Sequence, residues 1–140
     1  MQFFLPMNPP TATAQETQST LRGGKHVYYK NARLLAAEDQ LTYSLKPYAP
    51  PAPMTGPVSL SVIWLYPAGR NRAHGHWKDT RPDTDNLDKM LKDVMTRLRF
   101  WQDDAQVCDE RIRKLWSHQP GLFIQIEALQ PQSGLQWEDA

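Results

Sequence analysis

Two pairs of aspartates frame one amphipathic segment of this chain. Asp83 and Asp85 stand one residue apart in the run Arg81-Pro-Asp-Thr-Asp-Asn-Leu-Asp-Lys89, where helical periodicity begins, and Asp103-Asp104 follow just past where it ends. Carboxylates gathered in this way repel one another unless a positive charge lies between them, and hard oxygen ligands suit Mg²⁺ or Mn²⁺. A basic loop precedes them: Arg70, Arg72, Lys78 and Arg81, with His74 and His76 among them and only Asp79 opposing. A cation held by acids beside such a loop implies chemistry on phosphate.

Plainer roles compete for each residue. An aspartate at a helix N-terminus is often a cap, although two at i and i+2 exceed what capping needs. Asp103-Asp104 alone reads as a turn. A helix of about 13 residues is near 20 Å long, so the two acidic clusters meet only if the chain after Trp101 doubles back along helix and sheet. Lys89 lies four residues after Asp85; spacing alone favours an ion pair worth a few tenths of a kcal/mol over a cation that stabilises a pentavalent phosphate. His74, His76, Cys108 and His118 match no compact zinc module, and histidines that assist phosphate contact fit their basic loop better. Ser59, Ser61 and Ser117 lack a Gly-x-Ser-x-Gly elbow, and no glycine-rich phosphate loop is present. Trp101 is a candidate for stacking on an exposed base, with a core or interface role equally open.

The elements that must position these groups follow from periodicity. Leu87, Met90, Leu91, Val94 and Leu98 recur at i, i+3, i+4, i+7 and i+11, the clearest amphipathic helix in the chain. Asn31–Leu45 predicts an earlier helix with Asn31 as its N-cap. Phe3–Met7, Lys25–Lys30, Val58–Tyr66, Val107–Trp116 and Leu122–Leu129 read as strands. The prolines across 47–57 make a stiff connector, too short to separate two domains. The polar run Thr11–Thr20 reads as a loop, and 11–24 as a mobile one. Residues 130–140 read as a frayed tail in which Leu135 and Trp137 are candidates for docking. Together these predict one α+β domain over 1–140, with a mixed β-sheet covered by two helices on one side.

Composition narrows the function classes. The 140 residues are 40% hydrophobic and 22% charged, ordinary for a globular domain. No apolar run approaches a membrane span. The N-terminal segment lacks a basic n-region and is soon broken by proline, which argues against a signal peptide. The single cysteine suits a reducing cytoplasm. A net charge of +1 argues against bulk electrostatic coating of nucleic acid, but segregated charge permits local binding.

The ordered run from Arg81 to Lys89, then Asp93, then Phe100-Trp-Gln-Asp-Asp-Ala-Gln-Val107, then Lys114, resembles the RusA family of Holliday junction resolvases, which are often phage or prophage encoded. The likeness is specific over 81–114 and weaker for 58–66 and 121–129; before residue 55 only Leu5-Pro-Met-Asn-Pro-Pro10 is similar. The resemblance implies a homodimeric, Mg²⁺-dependent endodeoxyribonuclease that resolves four-way junctions by paired symmetric nicks. Asp83, Asp85 and Asp104 would be the metal-binding carboxylates, Asp103 a secondary candidate for metal or water contact, and Lys89 the catalytic lysine. It further implies a fold in which the sheet returns Asp104 to the helix start. Arg70, Arg72, His74, His76, Lys78, Arg81, Trp101 and Lys114 are the expected DNA-binding residues. Arg99 stands where some members have a helix-ending glycine, and 11–24 has no clear counterpart. Rival readings are a non-catalytic branched-DNA-binding protein with a structural metal site and a metal-dependent nucleotide hydrolase.

Overall fold

Alternation along Val58–Pro67 makes this segment the centre of the sheet: Val58, Leu60, Val62, Trp64 and Tyr66 are buried, while the residues between them are only half-buried. A computed structural model of the chain describes residues 1–13 and 17–137, with side chains in 17–30 described only for residues 21–26 and 29. The elements run β1 (Gln2–Pro6), β2 (Thr17–Arg22), β3 (Lys25–Lys30), α1 (Ala32–Leu45), β4 (Val58–Pro67), α2 (Thr84–Arg97), β5 (Val107–Ser117) and β6 (Gly121–Ala128). The main sheet has the order β1-β6-β4-β5, with β4 parallel to β5 and the other neighbours antiparallel. It is the expected mixed sheet of an α+β domain.

One face of that sheet meets both helices. Leu34, Leu41 and Leu45 of α1 and Leu87, Met90, Leu91, Val94 and Met95 of α2 join Phe3, Leu5, Leu122, Ile124 and Ile126 in a single core with the buried residues of β4. Full burial of each such side chain stabilises by roughly 1.5–3 kcal/mol, and it is this stripe that makes α2 a helix. At the head of α1, Asn31 Oδ1 accepts the Leu34 N–H at 2.9 Å, the cap its position predicts. Leu35, beside Leu34 in the sequence, faces outward and is exposed.

Parallel neighbours need a crossover, and α2 supplies it between β4 and β5. Leu98 is its C-cap, after which Arg99 takes φ 64°. The Phe100 N–H reaches Met95 O at 3.1 Å and the Arg99 N–H reaches Thr96 O at 3.0 Å, closing the last turn.

The expected loop at Thr11–Thr20 is corrected from Thr17 onward. Thr17–Arg22 pairs antiparallel with Lys25–Lys30 in a separate two-stranded sheet, turned by Gly23 and Gly24 at φ 56° and 76°. Polar strands escape an apolar-periodicity search, and only the Gly-Gly pair marked the turn. Residues 14–16 of that loop lie outside the described residues. Of the tail, Leu135 and Trp137 do not dock but are exposed, and 138–140 lie outside the described residues. The proline connector opens with a 3-10 turn, Lys46–Tyr48.

Candidate functional site

Asp83 occupies the N-cap position of α2, and its carbonyl accepts the Leu87 N–H at 3.1 Å. Its carboxylate makes no capping hydrogen bond. Asp85 Oδ1 accepts only the neighbouring Asn86 N–H, at 3.0 Å, which closes no helix end. Both side chains are exposed. Capping therefore does not account for this pair. The positive end of the helix lowers the cost of holding two carboxylates there.

Two lysines hold the segment that presents them. Lys114 Nζ donates to Thr80 O and Pro82 O, both at 2.7 Å. Lys78 Nζ donates to Thr80 Oγ1 and Arg81 O, both at 2.6 Å, and lies 4.6 Å from the Trp116 ring centroid and 5.0 Å from that of Tyr66. Burial, then the cations of Lys114 and Arg72, push the Lys78 pKa down. These two residues, expected at DNA phosphates, also hold the peptide just before Asp83.

The rest of the basic loop is added to the outer edge of β5. The Trp116 N–H donates to His76 O at 2.9 Å, the Lys78 N–H to Lys114 O at 3.0 Å, and the Gly75 N–H to Trp116 O at 2.8 Å. Arg70, Arg72, His76 and Arg81 are exposed, with the Arg72 guanidinium 4.9 Å from the Trp116 ring centroid. His74 stacks on His118 at 4.7 Å, and its Nδ1 accepts the His118 N–H at 3.0 Å. Arg72, Lys78, Thr80 and Arg81 face Asn8, Pro9 and Thr11 across a cleft of about 450 Å³, floored by Tyr66 and Trp116.

Trp101 does not stack on a base. It is fully buried, and its Nε1–H donates to Thr96 Oγ1 at 2.7 Å. The exposed tryptophan of this surface is Trp77, at 65% exposure, which sequence reasoning passed over. Its place between His76 and Lys78 in a charged loop was the available signal.

At the other end of α2 the acidic pair divides. Asp103 Oδ1 accepts the Ala105 N–H at 2.8 Å, capping the 3-10 turn Asp104–Gln106. Gln106 Oε1 accepts the Asp103 N–H at 3.0 Å, and its Nε2 donates to Met54 O at 3.0 Å and Gly56 O at 2.9 Å. This capping box, tied to the proline connector, gives Asp103 Oδ1 a structural role at the head of the turn. Asp104 is exposed and lines a groove of about 350 Å³ with Asp93, Thr96 and Arg97.

The sheet does not return Asp104 to the helix start. Asp83 precedes α2 and Asp104 follows it, so the 14 residues of Thr84–Arg97 separate them by about 20 Å at 1.5 Å per residue. The strand gives a second measure. Val107 begins β5, while Lys114, seven residues on, bonds to Pro82, a separation of about 23 Å at ~3.3 Å per residue. Among the described residues no three His, Cys, Asp or Glu side chains cluster to hold a metal ion. One chain brings Asp83 and Asp85 together, with Asp104 apart from them.

Lys89 is exposed and pairs along α2 with Asp93, Nζ to Oδ2 3.7 Å, rather than with Asp85. Between the two ends lies a charged cluster that periodicity did not single out. Lys92 Nζ is 3.2 Å from both Asp88 Oδ2 and Glu110 Oε2. Burial, then the hydrogen bond with Glu110, pushes Asp88 up to about 6. Burial opposes the charge of Lys92, but the two acids outweigh it and hold its pKa up.

The fold and site define a class: a small α+β domain that sets exposed paired carboxylates at a helix N-terminus beside a cationic cleft. The family model for Endodeoxyribonuclease RusA matches residues 7–127, and the chain belongs to that family. A crossover junction endodeoxyribonuclease of Lactococcus phage r1t is 37% identical over 70 residues, which are 50% of this chain and 53% of the phage protein. The chain thus spans about half the length of that relative. The RusA enzyme of Shigella sonnei is 32% identical over 94 residues, 67% of this chain and 68% of its own length. The uncharacterized protein YqaN of Bacillus subtilis is 26% identical over 120 residues, 78% of this chain and 84% of its own. Among the described residues no helix is long and apolar enough to cross a membrane.

Proposed function

We propose that this protein is a Mg²⁺-dependent, structure-selective endodeoxyribonuclease that resolves Holliday junctions by paired symmetric nicks, with Mn²⁺ able to substitute, and that it acts in the cytoplasm as a homodimer in which residues 1–140 of each chain form a single domain. The reading is carried by two exposed carboxylates, Asp83 and Asp85, that sit at a helix N-terminus without capping it. Family membership and the names of relatives in a phage and in Shigella support it.

The separation of Asp104 from Asp83 and Asp85 shapes the proposal. A third carboxylate from the same chain would have to cross the length of α2. A two-fold axis across the middle of that helix brings Asp104 of the partner subunit to Asp83 and Asp85, and generates two identical sites. A four-way junction shares that symmetry. In this arrangement a divalent cation, when bound by the three aspartates, supplies Lewis-acid polarisation of the scissile phosphate and lowers the pKa of the attacking water. Lys89, one turn into α2, leaves Asp93 to offset charge that develops on the phosphate. Arg70, Arg72, His76 and Arg81 fix the DNA by its phosphates, while Lys78 and Lys114 hold Asp83 in place. Junction preference then comes from dimer geometry and DNA deformability.

Mixing two inactive chains tests both activity and assembly. Asp85→Asn and Asp104→Asn homodimers each lose a ligand from both sites. A mixed dimer assembled through refolding regains one intact site if Asp104 acts across the interface, so labelled junction is nicked once per complex in Mg²⁺. No recovery, from chains shown to have mixed, would overturn the two-chain site. Junction binding without nicking by the unmutated protein would sink the enzyme reading.

A further inference from the structure

The hairpin β2–β3 is a sheet of its own: among the described residues its strands pack chiefly on each other. At ~3.3 Å per residue its six-residue strands are about 20 Å long. Its described side chains, residues 21–26 and 29, are all exposed, so what they face bears on why the hairpin is there. Residues 17–31 carry Arg22, Lys25, His26 and Lys30 and no aspartate or glutamate.

Register concentrates that charge at the tip. Arg22 and Lys25 are directly paired across the strands, on either side of Gly23-Gly24, and both are exposed. Like charges facing one another in an antiparallel pair are destabilising, and the hairpin has no acid of its own to offset them. A polyanion relieves that repulsion. Among the described side chains of the hairpin, the apolar Leu21 and Tyr29 are exposed alongside these charges.

The root of the hairpin places it beside the proposed site. Asn8, Pro9 and Thr11 form one wall of the cationic cleft whose other wall is Arg72, Thr80 and Arg81. Tyr66 Oη–H donates to Pro10 O at 2.9 Å and Arg33 Nη2 to Thr11 Oγ1 at 3.4 Å, anchoring that wall to the body. From there the chain leads to β2, and β3 leads directly into the Asn31 cap of α1. The hairpin therefore joins the chain next to residues that line the cationic cleft preceding Asp83 and Asp85.

We propose that this hairpin is a DNA-binding arm, which lays Arg22 and Lys25 against the phosphates of a duplex arm leaving the cleavage site. The proposal rests on the nuclease reading for its substrate. A two-stranded ribbon has dimensions that a major groove admits, and the two tip cations can each contact one of the flanking backbones.

Binding to a labelled four-way junction and to linear duplex, measured in EDTA over a series of NaCl concentrations, tests it. Each phosphate contact contributes about 0.9 to the slope of log K against log salt, so Arg22→Ala/Lys25→Ala lowers the slope by about 1.8 and weakens binding roughly tenfold or more at 0.1 M salt. Arg22→Lys/Lys25→Arg keeps both. The alanine variant retains the melting temperature and sedimentation mass of the unmutated protein. An unchanged slope, with the unmutated protein binding DNA, overturns the arm; so does a loss of dimer mass, which would make the hairpin an assembly element. Binding with the expected slope change but no nicking in Mg²⁺ leaves the arm standing and removes the nuclease reading instead.

Discussion

The two ends of α2 carry the same residue type in the same number, yet they use it differently. At the N-terminal end both Asp83 and Asp85 are exposed and neither closes the helix. At the C-terminal end Asp103 caps a 3-10 turn and only Asp104 is left facing a groove. An acidic pair in sequence is thus two different objects. What distinguishes them is which backbone N–H groups lie within reach. The Asp103 carboxylate meets the N–H of Ala105 two residues on, whereas the Asp83 carboxylate meets none in its own helix.

The largest test of that contrast compares the two ends directly. Asp85→Asn lowers junction nicking by about 10³-fold or more, on the order of 4 kcal/mol of barrier, with junction binding retained. Asp104→Asn has a similar effect. Asp103→Ala leaves the rate within a fewfold and lowers stability by about 1 kcal/mol, the worth of a lost cap. Equal losses of nicking at Asp103 and Asp104, without a stability change, would erase the distinction between them.

A pH series separates the exposed ends from the buried middle. Asp88 has an ordinary pKa near 3.8, raised to about 6 in the folded protein. Between those values the unfolded chain loses its proton first, so stability falls as pH rises from about 4 to about 6 and stays lower above. Lys92, 3.2 Å away, already holds that rise in check, and the remaining shift corresponds to a loss on the order of 2–3 kcal/mol. Asp88→Asn keeps the shape and the Lys92–Glu110 pair, and flattens the profile, with higher stability at pH 7. Denaturant unfolding at a series of pH values measures this. A profile of unchanged slope in that variant would assign the dependence to other groups.

How much of this was legible depended on whether local rules decided the outcome. The α2 stripe, the Asn31 cap and the alternation of β4 are local, and the structure follows them. The distance from Asp83 to Asp104 was set by strand direction instead. A helix that links parallel strands starts at one end of the sheet and delivers the chain to the other. Periodicity names strands without directing them, so the doubling-back remained open. Trp101 and Trp77 illustrate the same limit. Both are tryptophans near charged residues, but a closing turn at Phe100 carries Trp101 into the core, while pairing with the edge of β5 leaves Trp77 outside. Lys78 lies beneath that edge, where two aromatic rings and two backbone carbonyls surround it, and nothing in its neighbours along the chain announces this.

The smallest effect concerns the closing turn itself. Arg99 holds φ 64°, a left-handed conformation that costs a side-chain-bearing residue about 1 kcal/mol relative to glycine. Its N–H and that of Phe100 bond back to Thr96 and Met95, so the conformation is imposed by the end of the helix. Arg99→Gly therefore stabilises the fold by about 1 kcal/mol, a rise of about 3–4 °C in melting temperature for a chain of this size. The guanidinium is exposed near the Asp104 end. Unchanged nicking in Arg99→Gly makes the strain a stability cost alone. Slower nicking in this more stable variant would show that the arginine serves the C-terminal end of α2 as a substrate contact, and would narrow the difference between the two ends.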